Sequence, residues 1–244
     1  MKRSLVLIAL AACAAVAAGA WLLAGSGEHR LADEIRAFEQ QDRLQAPATG
    51  GVLFVGSSSI RLWPDLSAAF PGTAILQRGF GGAELADVLH FAPRIVLPYR
   101  PGTLVLYAGE NEISAGIGAD RILADLEKLV RLVHRELPGA RIILLAVKPS
   151  PKRARFAPAI MAFNRALRSF AATDPRLAFV DIYTPMTNPD GSVRAELFAE
   201  DGLHMNAAGY EIWRKALAPV LRPAAGQSSA SFIPSWLATK PRRS

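Results

Sequence analysis

The 244-residue sequence is 51% hydrophobic and 20% charged, which suits one globular domain of about 200 residues with short appendages and excludes a wholly disordered chain. The net charge of +7 raises the question of nucleic-acid binding. However, the basic residues are scattered and do not alternate with aromatic residues, so we expect no nucleic-acid partner.

The first element in chain order is an apolar N-terminal segment. Two basic residues precede an uncharged run from Leu5 to Gly25, which as a helix is about 30 Å long and can cross a bilayer. Because the basic residues should stay in the cytoplasm, we expect the domain to be exported to the periplasmic side, membrane-anchored or secreted. We favour a signal anchor over residues 1–27. The alternatives are a signal peptide cleaved after Ala18-Gly-Ala20 and a lipoprotein signal at Leu10–Cys13.

Helical and extended patterns alternate from residue 28 onward, beginning with helix formers over residues 28–44. The predicted strands are Val52–Val55, Ala74–Leu76, Leu104–Tyr107, Ile142–Ala146 and Ala178–Asp181. The predicted later helices are Leu85–Leu89, Ala119–Glu136, Pro158–Ala172 and Ala207–Ala218. Short apolar strands separated by helices predict an α/β domain over residues 28–222 with a parallel, doubly wound sheet. The basic tail at residues 223–244 has no clean period and is expected to be loosely ordered.

Glycines and polar residues follow the predicted strands, at the edge where doubly wound sheets carry their active sites. In chain order these segments are Gly56-Ser-Ser-Ser59, Gly79-Phe-Gly-Gly82, Gly109-Glu-Asn-Glu112, Lys148-Pro-Ser-Pro151 and Asp201-Gly-Leu-His204. Glycine beside a polar residue suits a site in which the backbone closely approaches a ligand.

Three of these segments carry side chains suited to nucleophilic catalysis. Asp201 and His204 are three residues apart, so one turn can place the carboxylate on one imidazole nitrogen and leave the other for a nucleophile. The Asn111 amide, together with backbone N–H groups near Gly82 and Ser58, can donate hydrogen bonds to an oxyanion. The alternative interpretation is a capped turn with a surface histidine and a loop asparagine.

Other candidate residues have simpler interpretations. The remaining histidines (His29, His90 and His134) lie in predicted helices without partners, and the only cysteine, Cys13, lies in the apolar segment, so we expect no metal. Lys148 is expected to be solvated, the alternative being contact with an anionic substrate. Trp63 is expected to pack behind the first helix of the domain rather than to line a pocket.

The four blocks Gly-x-Ser, glycine turn, Gly-x-Asn and Asp-x-x-His, in this order, resemble the SGNH hydrolase superfamily of GDSL-type esterases and lipases. The resemblance covers roughly residues 50–220 and is to the platelet-activating-factor-acetylhydrolase-like or lysophospholipase-like branch. It implies a three-layer α/β/α flavodoxin-like sandwich with a central parallel five-stranded sheet, here preceded by an N-terminal apolar helix. It also implies ester hydrolysis through an acyl-enzyme, with no cofactor.

Carried over residue by residue, the resemblance implies a catalytic triad of Ser58, His204 and Asp201. The oxyanion hole would consist of the backbone N–H groups of Ser58 and Gly82 and the side-chain amide of Asn111. The neighbouring glycine, at position 81, is the alternative for Gly82.

The triple serine leaves two further assignments. Ser59 is the alternative nucleophile and is otherwise expected to be a helix N-cap. Ser57 stands where the family usually has aspartate, which leaves the triad intact. Two interpretations of this departure stay open, a tuned activity and a non-catalytic descendant.

The expected function is hydrolysis of a carboxylic ester of short-acyl, O-acetyl or lysophospholipid type, in a small-molecule or cell-envelope substrate. Two alternatives stay open: a non-catalytic membrane-tethered module that binds glycan or lipid, and an acyltransferase that uses the same serine.

Overall fold

A computed structural model describes residues 31–221, which form an α/β domain around one parallel sheet. The strands are β1 (Val52–Gly56), β2 (Ile75–Gly79), β3 (Thr103–Tyr107), β4 (Arg141–Leu145) and β5 (Leu177–Val180). Their order is β2-β1-β3-β4-β5, the flavodoxin-type order, and every neighbouring pair is parallel. The α/β class and the five parallel strands are therefore as predicted. The predictions for residues 1–27 and 223–244 lie outside the described residues.

Helices cover both faces of the sheet. They are α1 (residues 31–44), α2 (Ser58–Arg61), α3 (Leu85–Ile95), α4 (Glu110–Ser114), α5 (Ala119–Glu136), α6 (Ala157–Ala171) and α7 (Ala207–Leu221). Side chains alternate between the faces along a strand, so the two sides of β1 enter different cores. Leu53 and Val55 pack in the core with α1, α3, α5 and α6, whereas Phe54 packs in the core with α2 and α7. A sheet buried on both faces explains why its strands are continuously apolar.

Helix α5 has the predicted bounds, Ala119–Glu136, because its sequence carries consistent signals. Asp120 lies in its first turn, and the apolar stripe from Ile122 to Val133 is buried against the sheet. The Pro138-Gly139 pair follows its end. Within residues 31–221 there is no helix both long enough and apolar enough to cross a membrane.

Several predicted boundaries were wrong. Strand β2 continues to Gly79, which pairs with Gly56 of β1, so part of the glycine segment belongs to the sheet. Helix α3 continues to Ile95 through Pro93, because Phe91, Ala92 and Ile95 extend its buried stripe beyond the predicted end. Burial of that stripe outweighs the cost of a proline in the last turn.

Helix α7 similarly continues through Pro219 to Leu221, which is buried.

The predictions missed α4 entirely. This helix of five residues begins at the glutamate of Gly109-Glu-Asn-Glu112, so Asn111 lies in a helix and not in a loop. It is too short for hydrophobic periodicity to reveal it.

Candidate active site

The strand β1 and helix α2 place Ser58 at the carboxyl edge of the sheet. Gly56 ends β1 with φ +147°, and a Cβ atom there would lie 1.9 Å from the Tyr107 carbonyl oxygen, so only glycine fits beside β3. Ser57 follows as the N-cap residue of α2, and its backbone N–H donates to the Tyr107 carbonyl at 3.0 Å. Ser58 is then the first residue of α2, with its side chain partly exposed.

Ser58, His204 and Asp201 form a continuous hydrogen-bonded chain. His204 Nε2 lies 3.1 Å from Ser58 Oγ, and His204 Nδ1 lies 2.5 Å from Asp201 Oδ2. An ionised Asp201 carboxylate can only accept hydrogen bonds. His204 Nδ1 therefore carries the proton, and Nε2 is free to accept a hydrogen bond from the serine hydroxyl. The structure therefore brings together the three side chains that the resemblance assigned to a triad, across a sequence separation of 146 residues.

The other carboxylate oxygen of Asp201 fixes the loop that carries the histidine. Asp201 Oδ1 accepts hydrogen bonds from the backbone N–H groups of Leu203 and His204, both at 2.9 Å. These backbone bonds, first that from Leu203, and the bond to the His204 ring lower the pKa of Asp201 to about 2. Asp201 consequently stays ionised throughout the neutral range and can stabilise a positive charge on the imidazole.

The serines on either side of Ser58 are both buried. Ser59 is 1% exposed, and among the described residues nothing hydrogen-bonds its Oγ, so the alternative nucleophile does not face His204. The expectation that Ser59 caps the helix was wrong, because the N-cap position belongs to Ser57, one residue outside the first helical turn. Ser57 itself is 2% exposed, and the Ser58–His204 contact forms with serine at this position.

The Asn111 amide, one of the donors predicted for an oxyanion hole, is hydrogen-bonded to the residue that follows the predicted donor Gly82. Gly82 follows β2 with φ +75°, in the left-handed region that favours glycine. Asn111 lies in the first turn of α4 at the end of β3, and its Nδ2 donates to the Ala83 carbonyl at 2.9 Å. One Nδ2 hydrogen is thus used to tie the two loops together, and the second remains for a ligand. The alternative, Gly81, donates its N–H to Glu34 of α1 at 3.0 Å.

Glu112 is a site residue that the sequence predictions missed. It is 3% exposed, and its carboxylate accepts from the backbone N–H groups of Gly109 at 3.1 Å and Leu85 at 2.5 Å. It therefore connects the segment that carries Asn111 to Leu85, the first residue of α3, which follows Gly82 after Ala83 and Glu84. Burial raises the pKa of Glu112 to about 7, and the Glu84 carboxylate adds to this rise. The backbone N–H groups of Leu85, of Glu112 itself and of Gly109 oppose it. The second acidic residue of the Gly-Glu-Asn-Glu block was its only sequence signal.

The raised pKa of Glu112 predicts a pH-dependent stability. Because the folded state holds this proton more tightly than the unfolded state, the free energy of unfolding should fall as pH rises from about 4.5 to about 7. The contribution is about 3 kcal/mol. Glu112→Gln cannot titrate, so its denaturant-derived stability should show a weaker decline over that range than the wild type. Identical pH slopes for the two proteins would contradict this role.

The prediction that Lys148 is solvated was wrong. Lys148 is fully buried, and its Nζ donates to both carboxylate oxygens of Glu110, at 2.7 and 2.9 Å. Tyr107 donates its hydroxyl to the same carboxylate at 2.7 Å. Burial lowers the pKa of Lys148, and the Glu110 carboxylate opposes that effect. The alternative of direct contact with a substrate is also wrong, because Lys148 is 0% exposed.

This ion pair predicts an asymmetric effect on stability. Lys148→Met removes the cation nearest to the buried Glu110 carboxylate and leaves it the Tyr107 hydroxyl and the more distant Arg153, at 3.6 Å, so we expect a loss of about 3 kcal/mol. Lys148→Met combined with Glu110→Gln removes both charges and should recover part of that loss. Chemical denaturation measures both values, and a double variant less stable than the single one would contradict the pairing.

Two other expectations concern Trp63 and the histidines. Trp63 is 4% exposed and stacks on Tyr210 with ring centroids 5.2 Å apart, so the prediction that it packs in the core is confirmed. The expectation that His134 lacks a partner was wrong, because its Nδ1 lies 3.7 Å from Asp174. His29 lies outside the described residues. Residues 31–221 contain no group of three or more histidine, cysteine or acidic side chains that could hold a metal ion.

The sequence of this chain is similar to a known family and to proteins of that kind. Residues 49–212 match the model of the GDSL-like Lipase/Acylhydrolase family. The platelet-activating factor acetylhydrolase IB subunit alpha1 of Rattus norvegicus is 26% identical over 196 residues, which cover 75% of this chain and 80% of the relative.

Solved structures share the fold. A GDSL-like lipase from Bacteroides thetaiotaomicron superposes with a TM-score of 0.66 at 20% identity, covering 77% of this chain and 96% of that one. A mutant of Axe2, an acetyl-xylooligosaccharide esterase from Geobacillus, superposes with a TM-score of 0.58 at 17% identity, covering 74% of this chain and 98% of that one.

Proposed function

We propose that Ser58 is the nucleophile of this protein and that the reaction passes through an acyl-enzyme. The chain belongs to the GDSL-like lipase/acylhydrolase family and is a serine hydrolase of ester bonds. The observation that carries this proposal is the chain from Ser58 Oγ to His204 at 3.1 Å and from His204 to Asp201 at 2.5 Å. A hydroxyl becomes an effective nucleophile when an adjacent base takes its proton and a third group orients that base.

The reaction divides into acylation and deacylation. In acylation, Ser58 Oγ bonds to the ester carbonyl carbon while its proton passes to His204 Nε2, and the same proton then goes to the leaving alcohol as the ester C–O bond breaks. In deacylation, His204 takes a proton from water, the resulting hydroxide attacks the acyl carbon, and the proton returns to Ser58 as the acid leaves. Asp201 stabilises the imidazolium in both steps.

The oxyanion that forms in each step needs hydrogen-bond donors at the same edge of the sheet. We assign this role to the backbone N–H groups of Ser58 and Gly82 and to the second Nδ2 hydrogen of Asn111. The bond from Asn111 to the Ala83 carbonyl supports the assignment, because it holds the amide against the loop that carries Gly82. Donors fixed before the reaction stabilise the transition state without reorganising.

This assignment predicts a selective loss in an asparagine variant. Asn111→Ala should lower kcat by about 10²–10³-fold with a small change in KM, because the amide donates to the transition state more strongly than to the ester carbonyl. Steady-state hydrolysis of p-nitrophenyl acetate measures both constants. Asn188→Ala, at an exposed loop asparagine that bonds Ser192, is the matched control and should behave as wild type. An Asn111→Ala enzyme with unchanged kcat would remove the amide from the oxyanion hole.

For the substrate, we propose esters of acetyl or other short acyl groups. The names of a relative and of a similar structure support this choice, because one is an acetylhydrolase and the other an acetyl-xylooligosaccharide esterase. The test compares p-nitrophenyl acetate, p-nitrophenyl octanoate and a lysophospholipid. We expect the highest kcat/KM for acetate. A preference for the lysophospholipid would favour the longer-chain class instead.

We also propose that the enzyme is exported and held at the membrane by residues 1–27. The apolar run behind two basic residues supports this proposal. The position of α1 indicates which edge of the domain such an anchor would hold near the membrane. Glu34, in the first described turn of α1, accepts from the Gly81 N–H beside the proposed oxyanion loop. The first described turn of α1 therefore lies beside the proposed oxyanion loop. An anchor that precedes this turn in the chain would keep the catalytic edge near the membrane surface and an envelope ester within reach.

Cell fractionation tests this location. The tagged full-length chain, expressed in a Gram-negative host, should sediment with membranes and resist carbonate extraction. It should be degraded by protease in spheroplasts but not in intact cells. Recovery in the cytoplasm would contradict export, and a soluble periplasmic protein would indicate a cleaved signal peptide.

A further inference from the structure

Asn111 has a second, charged hydrogen-bond partner. Arg153 Nη2 donates to Asn111 Oδ1 at 2.9 Å, on the opposite side of the amide from the bond between Nδ2 and the Ala83 carbonyl. Arginine has only donors and a carbonyl has only acceptor capacity, so the two partners together fix which end of the amide faces which way. A reversed amide would set donor against donor at Arg153 and acceptor against acceptor at Ala83.

Arg153 is itself held by a buried network. It lies in the turn Pro151–Phe156 after β4, and its Nη1 donates to the Glu110 carbonyl at 2.7 Å. The Glu110 carboxylate lies 3.6 Å from the same nitrogen and is bound by the buried Lys148 and Tyr107. The Arg153 side chain is only 15% exposed. It is therefore fixed at both ends of its guanidinium, and has little freedom to leave the amide.

The charge of Arg153 acts on the amide as well. A cationic donor on the carbonyl oxygen draws electron density from the amide nitrogen, which makes the N–H groups stronger donors. In their ionised forms, Glu110, Lys148 and Arg153 together carry one net positive charge next to Asn111. In a poorly solvated region that charge favours a developing oxyanion over a neutral carbonyl.

We propose that Arg153 is a positioning residue of this ester hydrolase, which locks the Asn111 amide with its N–H groups toward the oxyanion and strengthens them as donors. This inference rests on the proposed function, because it gives Arg153 a role only through the oxyanion donor Asn111. Arg153 does not have to touch the substrate.

A double-mutant cycle on p-nitrophenyl acetate tests the proposal. Arg153→Met should lower kcat by about 10- to 100-fold with little change in KM, the loss expected for one charged hydrogen bond. The decisive variant combines Arg153→Met with Asn111→Ala. If Arg153 acts through Asn111, the double variant should be no slower than Asn111→Ala alone. Losses that multiply independently would overturn the proposal.

Two further variants keep the test interpretable. Arg155→Met removes an exposed arginine from the same turn and should leave kcat unchanged. Arg153→Lys keeps the charge but cannot make both bonds of the guanidinium, so its kcat should fall between wild type and Arg153→Met. If Arg153→Met does not fold, as judged by circular dichroism, Arg153→Lys replaces it in the cycle with Asn111→Ala and carries the same criterion.

The outcomes separate this inference from the proposed function. Wild-type protein without esterase activity would contradict the proposed function. An active wild type, an impaired Asn111→Ala and an unimpaired Arg153→Met would contradict only the role of Arg153. A large rise in KM for anionic esters with no change in kcat for the neutral ester would assign Arg153 to substrate binding instead, and would also overturn the proposal.

Discussion

Replacing Ser58 with alanine should abolish ester turnover and leave the fold intact. The expected loss in kcat is on the order of 10⁴–10⁶-fold, because no other hydroxyl can take the place of Oγ next to His204. The side chain of Ser58 is partly exposed, and its described hydrogen bond is that to His204. Thermal unfolding should therefore shift by no more than a few degrees, since such substitutions rarely change stability by more than about 0.5 kcal/mol.

Ser59→Ala is the matched control for this prediction. It removes the adjacent hydroxyl from a position where the Oγ is buried and has no hydrogen-bond partner among the described residues. We expect wild-type kcat and equal or higher stability, because a buried hydroxyl without a partner costs free energy. If Ser59→Ala were inactive and Ser58→Ala active, the nucleophile would be assigned to the wrong serine.

Asp201→Asn should have the second-largest effect, a fall in kcat on the order of 10⁴-fold. The native carboxylate accepts two backbone N–H groups on one oxygen and His204 Nδ1 on the other. An asparagine keeps one acceptor, and the backbone N–H groups will take it. Its NH₂ group then faces Nδ1 and favours the tautomer with the proton on Nε2, which cannot accept from Ser58.

The control for Asp201→Asn is the same exchange in a similar turn. Asp190 accepts the backbone N–H and the hydroxyl of Ser192 in an exposed loop. Asp190→Asn should keep wild-type kcat, so the comparison separates the role of the carboxylate in the triad from its role in a turn. Steady-state kinetics on p-nitrophenyl acetate measures both variants. Comparable kinetics for Asp201→Asn and Asp190→Asn would remove Asp201 from the mechanism.

The sequence predicted the parts of the fold that depend on local pattern. Helix α5 has a full apolar stripe and a Pro-Gly stop, and its bounds were correct. Helices α3 and α7 were predicted too short, although buried residues continue beyond the predicted ends to Ile95 in α3 and Leu221 in α7. Tertiary burial decided those ends, and no local pattern reports it.

In the candidate site too, some residues could be predicted from the sequence and others could not. The short blocks around Ser58, Asn111 and His204 were found because their residue types and order are distinctive, and the structure brings these residues to one edge of the sheet. The buried Glu110–Lys148 pair was missed, because charged residues after a strand are normally solvated and the pairing joins positions 38 residues apart. Arg153 was missed for the same reason: its contact with Asn111 exists only in three dimensions.

Labelling with a fluorophosphonate probe tests the central claim most directly, because the probe bonds to a serine only when that serine is activated. The full-length chain is treated with the probe, and the site is mapped by mass spectrometry of its peptides. We predict one adduct on Ser58, absent from Ser58→Ala, strongly slowed in His204→Ala and retained in Ser59→Ala. A folded wild-type protein that does not label, or that labels at another residue, would contradict the assignment of Ser58 as the nucleophile.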